Sequence, residues 1–166
     1  MSAWTIRTED PADHAAIAAL VEAAFAPVPL SEGSEAGLIA ALRQAGDLTL
    51  SLVAEDVEGI VGHVAFSPIT IDGAECGWVQ MAPVSVAPDR QRQGIGGSLV
   101  EAGIAQLRRR SVNGIGVLGD PAYYERFGFA QADSLIVPGP QAEFYRALLL
   151  EGAMPAGRVR YAAAFG

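Results

Sequence analysis

Apolar residues recur along this chain with two periods. Leu48, Leu50 and Leu52 alternate with polar neighbours, as in a strand with one buried face. Ile17, Leu20, Val21, Ala24 and Phe25 instead return every three or four residues, which marks one face of a helix. Asp10-Pro11 starts that helix, and Pro27 and Pro29 end it. Trp4 to Thr8 reads as a strand ahead of it. Ser31 or Ser34 caps a second helix, which carries Leu38, Ile39 and Leu42 and closes at Gly46. After Leu52 come strands over 59–67 and 74–86, joined by an Asp72-Gly73 hairpin turn. A helix from about Gly94 to Arg110, a strand over 115–118 and a short helix over 120–127 follow. An extended stretch over 143–150, a Gly/Pro turn and an extended end over 158–162 complete the order. No internal repeat, low-complexity tract or linker interrupts it.

At 166 residues the chain is expected to form one domain, residues 1–166, with about two-thirds of its unfolded surface buried. Its net charge of −8 argues against a nucleic-acid surface. Arg108, Arg109 and Arg110 fit a solvated helix C-terminus, where positive charge suits the dipole. Cys76 is alone, so neither an internal disulfide nor a cysteine-rich zinc site is expected. No apolar run reaches membrane-spanning length, and no basic-then-apolar leader precedes Trp4. A soluble, cytoplasmic protein without metal is the expectation.

The segment from Val84 to Leu99 carries the most chemistry. A short apolar strand runs into a turn bearing Arg90, Gln91, Arg92 and Gln93, and Gly94-Ile95-Gly96-Gly97 then opens a helix. A helix N-terminus presents unpaired N–H groups and about half a positive charge, and glycines let a phosphate approach. A P-loop requires a lysine, and all eleven basic residues here are arginines. A dinucleotide fingerprint requires a third glycine where Leu99 stands. What remains, Gln91-x-x-Gly94-x-Gly96, resembles the Arg/Gln-x-x-Gly-x-Gly/Ala signature of the GCN5-related (GNAT) acetyltransferases.

A second segment strengthens the resemblance. Asp120 is a natural N-cap, Pro121 a natural first helical residue, and Gly128 a stop. Tyr124 precedes Phe129 by five residues, similar to the family's second signature, a tyrosine in Tyr-x-x-x-Gly-Phe. Val64 to Pro68, Trp78 to Pro83 and Gly119-Asp120-Pro121 look like the bacterial predicted N-acetyltransferases of the YhbS type. The resemblance covers nearly the whole chain. It implies an α/β (α+β) acyl-CoA N-acyltransferase fold, with a central mixed, mostly antiparallel sheet flanked by helices and splayed strands holding coenzyme A. The cofactor-binding core would span about 74–130.

The resemblance also assigns expected roles. The turn from Gln91 through Arg92, Gln93, Gly94, Ile95, Gly96 and Gly97 to Ser98 would hold the pyrophosphate of acetyl-CoA. Val84, Ser85 and Val86 would lie along the pantetheine arm, the backbone of Val84 and Val86 binding the arm and the thioester oxygen. Asp120 and Tyr123 complete the cofactor-binding set. Pro83 cannot donate to a ladder, so strand pairing should be interrupted there.

Tyr124 is the candidate general acid, because a phenol with a pKa near 10 can protonate a thiolate whose thiol has one near 8.5. The base stays open. Gln80 stands where family members with a strand glutamate carry it, and an amide cannot accept the ammonium proton. Glu75 falls on the opposite strand face from Gln80. His63 has a suitable pKa range but also suits a core position, and Glu32 and Glu35 equally suit an acidic helix start. The implied activity is acetyl transfer to a primary amine of a small molecule or protein, with a homodimer as a further possibility. A longer acyl donor, a hydroxyl acceptor and a non-catalytic acyl-CoA sensor are the alternatives.

Overall fold

The computed structural model describes residues 3–28, 31 and 33–166; Pro29 and Glu32 fall outside this range. Strand β1 (Thr5–Thr8) leads to a 3-10 turn at Pro11–Asp13, and helix α1 (His14–Phe25) follows directly. Asp13 explains the delayed start. Its carboxylate accepts from the Asp10 N–H at 2.6 Å and from Arg7 at 2.7 and 3.0 Å. Arg7 also reaches Glu55 at 3.2 Å, tying the first strand to the next. The Arg7 guanidinium and the Asp10 amide hold the Asp13 carboxyl down at about 2.

Helix α1 buries Ile17, Leu20, Val21 and Ala24, while Phe25 is only partly covered. Helix α2 (Glu35–Ala45) buries Ile39 and Leu42 and ends at Gly46, whose φ of +77° is the left-handed cap that glycine supplies. Strand β2 (Leu50–Asp56) begins after Leu48 and is buried on both faces from Leu50 to Ala54, not on one. Its odd residue Val53 meets Ile17, Val21 and Ile39 of the first two helices, and Leu50, Leu52 and Ala54 meet a third helix. Helices on both sides override a one-sided pattern.

Strands β3 (Gly59–Ile71) and β4 (Ala74–Val86) form a long hairpin. Asp72 and Gly73, both at positive φ, make the turn. Helix α3 (Ile95–Arg109), strand β5 (Gly114–Leu118) and helix α4 (Pro121–Glu125) follow. Strands β6 (Leu135–Ile136), β7 (Tyr145–Leu149) and β8 (Gly157–Arg160) complete the chain. Two-residue β6 is too short to show a period and is absent from the sequence expectation. The main sheet runs β1-β2-β3-β4-β5-β7; only β4 and β5 are parallel within that path, and β8 joins the far end of β3. This is the mixed, mostly antiparallel sheet expected.

Helix α3 lies close on the sheet because glycines face it. A Cβ on Gly62 would stand 2.7 Å from Ile95 and 2.9 Å from Leu99. A Cβ on Gly103 would run into the Phe66 ring, which is fully buried. Gly103→Ala is therefore expected to cost about 1–3 kcal/mol through overpacking, read as a lower urea midpoint at unchanged slope.

Candidate functional site

Pairing between β4 and β5 covers only Trp78–Gln80 against Gly114–Gly116. Beyond Gln80 the two strands part. On its other edge β4 keeps its register with β3 only through an irregularity between Met81 and Val84, where Pro83 has no N–H to give. The interruption expected at Pro83 is present. β5 instead continues against β7 up to Leu118. A stretch of β4 from Met81 to Val86 thus presents backbone to a gap.

Helix α3 points its N-terminus at the end of that gap. Gly94 caps it at φ +93°, a conformation that favours glycine. The first helical bond is given by Ser98 N–H to Gly94 O at 3.0 Å, so the amides of Ile95, Gly96 and Gly97 precede it. These three N–H groups and the dipole of a 15-residue helix suit an anion. The Ser98 amide does not, because it is already committed. Side chains shape the turn: Gln91 donates to Val86 O at 3.3 Å, and Arg90 bridges Asp56 at 2.5 Å and Glu58 at 3.3 Å. Gln93 meets Arg90 at 3.4 Å.

Val84, Val86, Gln91, Arg92, Gly94 to Gly97, Tyr123 and Arg126 together line a groove of about 450 Å³. Arg126 is the residue missed by sequence reading. Its guanidinium lies 4.6 Å over the Tyr123 ring, and its signal was a lone cation beside an aromatic pair in a lysine-free chain. Asp120 accepts from Ala122 N–H at 3.0 Å and so caps α4. Tyr124 is packed on the core, edge-on to Tyr123 and Phe129. Burial, with the neighbouring Tyr123 and Asp120, pushes its phenol up to about 12.

The opposite sheet face holds a buried polar stripe. Val84 and Val86 pack toward α3, so Ser85 between them faces the other way and does not line the groove. Gln80 is also buried there, and Tyr145 Oη donates to its Oε1 at 3.0 Å. Gly116 makes this possible: a Cβ at that position would overlap the Tyr145 hydroxyl. Gln80 is thus a braced amide. Glu35 is bound by Ser31 at 2.7 Å, and Glu32 lies outside the described residues. His63 is fully buried, with Nε2 at 2.8 Å from Ser51 Oγ, which in turn bonds Glu9. Desolvation, partly countered by Glu9, lowers the imidazole to about 4, so it is neutral at neutral pH. Among the described residues no three His, Cys, Asp or Glu side chains gather as a metal site, and no helix is long and apolar enough to cross a membrane.

A family model of the acetyltransferase (GNAT) domain matches residues 47–131. The chain is 42% identical over 128 residues to an uncharacterized N-acetyltransferase, YhbS, of Escherichia coli K12, covering 76% of this chain and 74% of that protein. A GNAT family acetyltransferase from Brucella melitensis, solved in complex with acetyl-CoA, superposes with a TM-score of 0.89 at 46% identity over 98% of both chains. The Escherichia coli YhbS structure in complex with CoA gives 0.90 at 36% identity, over 99% of this chain and 93% of that one.

The buried imidazole generates a pH dependence of stability. Its folded pKa lies below the ordinary 6.5, so the unfolded chain binds more protons between the two values. The His63 contribution is therefore complete above about pH 6.5 and is lost as pH falls toward 4, above the window in which Asp13 near 2 titrates. Denaturant unfolding between pH 7 and 4 should show that decline, and His63→Gln should flatten it.

Proposed function

The chain belongs to the GNAT acetyltransferase family, and on that premise we propose that it transfers the acetyl group of acetyl-CoA to a primary amine, of a small molecule or a protein, by direct attack. The observation that carries this reading is the parting of β4 from β5 beside the open amides of α3. Those amides and Arg126 would hold the pyrophosphate, and the unpaired edge of β4 from Met81 to Val86 would receive the pantetheine arm as an added strand. Each N–H aimed at a charged oxygen is worth about 1.5–3 kcal/mol, so binding is largely a property of the backbone. Gln91, Arg92 and Gln93 then matter for the shape and charge of the turn, and Val84, Ser85 and Val86 for their main chain. Asp120 acts by capping α4, which carries both tyrosines.

The bound thioester supplies an acyl carbon and a thiolate leaving group. Tyr124 is the proton donor in this reading. Burial keeps its phenol protonated wherever an amine can be neutral, and the same dry surroundings raise the departing thiol as well. Gln80 orients rather than titrates, since Tyr145 occupies its oxygen. An acidic chain in the cytoplasm offers a cationic amine an attractive surface. The bond between Tyr145 and Gln80 also suits a protein that binds acyl-CoA without turnover. Intact acetyl-CoA binding with no product over a broad amine panel selects that alternative.

Two substitutions test the assignments. Tyr124→Phe should lower kcat by roughly tenfold to ten-thousandfold while acetyl-CoA binding, measured by calorimetry, stays unchanged. An unaltered kcat removes the general acid. Gly96→Val puts a side chain where even its Cβ would stand only 3.3 Å from Tyr123 Oη. It should raise the acetyl-CoA dissociation constant about tenfold or more, and equal affinity in a folded variant removes the phosphate assignment.

A further inference from the structure

Resting on the reading that the entrance to α3 receives the acetyl-CoA pyrophosphate, we infer that Asp56 and Arg90 are positioning residues for the cofactor. Their ion pair fastens the turn ahead of α3 to the β2–β3 hairpin, and so keeps the anion site in shape without touching the ligand. That turn, residues 87–94, is a strained piece of chain. It opens with a 3-10 turn at Pro88–Arg90 and then carries Arg92 at φ +64° and Gly94 at φ +93°. Gly94 adopts the left-handed region freely, whereas Arg92 does so against the crowding of its own Cβ. Such a conformation persists only where its surroundings impose it.

Arg90 provides those surroundings. Its Nη1 stands 2.5 Å from Asp56 Oδ2 and 3.3 Å from Glu58 Oε2, and its Nε donates to Gln93 Oε1 at 3.4 Å. Arg92 is therefore enclosed between two tied residues. Asp56 is a fixed anchor: it ends β2, its Oδ1 accepts from the Glu58 N–H at 2.8 Å, and its side chain is 6% exposed. The Glu58 amide and the Arg90 guanidinium hold its carboxyl below the usual range, so it stays charged at neutral pH. Among the described residues, no other side chain of the turn bonds to a part of the fold distant in sequence. Gln91 reaches only Val86 at the end of β4, and the main-chain bond from Ala87 N–H to Val61 O fixes only the first residue.

Neither Asp56 nor Arg90 lines the groove, whereas Gln91, Arg92 and Gly94 do. The pair acts on the cofactor through those residues. When the turn loosens, only a fraction of molecules presents the binding shape, and the dissociation constant rises by the inverse of that fraction. Charge alone makes the opposite forecast for one partner. Acetyl-CoA is a polyanion, so an Asp56 that acted only through its field would weaken binding, and Asp56→Asn would tighten it. The asparagine keeps an oxygen for the Glu58 N–H, so the hairpin turn retains its bond.

Calorimetric titration with acetyl-CoA and with coenzyme A reads the pair by the sign of the change. Asp56→Asn and Arg90→Ala should each raise both dissociation constants about fivefold or more. The double variant should match Arg90→Ala within about twofold, because the same tie is lost only once. Unchanged or tighter binding by Asp56→Asn, or losses that add, overturns the inference. Nitrogen-15 relaxation of the free protein gives a readout that a general loss of stability does not mimic. In both variants residues 88–94 should gain fast motion while β3 and β5 keep wild-type order, and saturating coenzyme A should restore the turn. A turn as rigid as wild type in the free variants overturns the inference, as does loosening spread over the whole sheet. A wild-type protein that binds neither ligand defeats the cofactor reading, and the inference falls with it. Binding by wild type with variants that match it defeats the inference alone.

Discussion

The hydrogen bond from the Tyr145 hydroxyl to the Gln80 amide oxygen closes the sheet at the point where β4 and β5 stop pairing. Tyr145 starts on β7, crosses over β5 at Gly116 and reaches β4, so one side chain braces three strands. On one side of this brace the strands pair as a sheet; on the other their edges are free. A gap in a sheet is a liability unless its ends are fixed, because unpaired backbone seeks any partner. Here the brace fixes the inner end, and the turn held by Gln91 and Arg90 fixes the outer one.

The groove between those ends is built from main chain more than from side chains. Pro83 breaks the ladder, Gly94 permits the left-handed cap, and Gly96 and Gly97 keep the helix entrance bare. The side chains that matter most do so by position. Arg126 brings a positive charge to the mouth, and Tyr123 closes one wall. On the opposite face, α1 covers a stripe of buried hydroxyl, amide and imidazole groups that an apolar core of this size does not require. Among the described residues, Nδ1 of His63 and Oγ of Ser85 in that stripe have no hydrogen-bond partner, and such groups cost stability.

Local features were legible in the sequence because local physics decides them. The Asp72-Gly73 turn, the Asp120 cap, the Gly46 stop and the glycine entrance to α3 each depend on residues next to one another. Contacts made over long separations were not legible. Nothing near Ser51 announces that it lies between Glu9 and His63, or that Tyr145 reaches Gln80 from 65 residues away. The Ser98 amide gives the first bond of α3, to Gly94 O, so the open amides of the turn end one residue before it. Ser85 stands between Val84 and Val86 in a regularly paired stretch, so strand alternation points its hydroxyl to the opposite face.

Amide hydrogen exchange measured with and without saturating acetyl-CoA tests the central claim most directly. The account predicts slowed exchange in Val84–Val86 and in Ile95–Gly97, with the paired strands β2 and β3 unchanged. Protection of another surface, with these two segments exchanging as in the free protein, would contradict it.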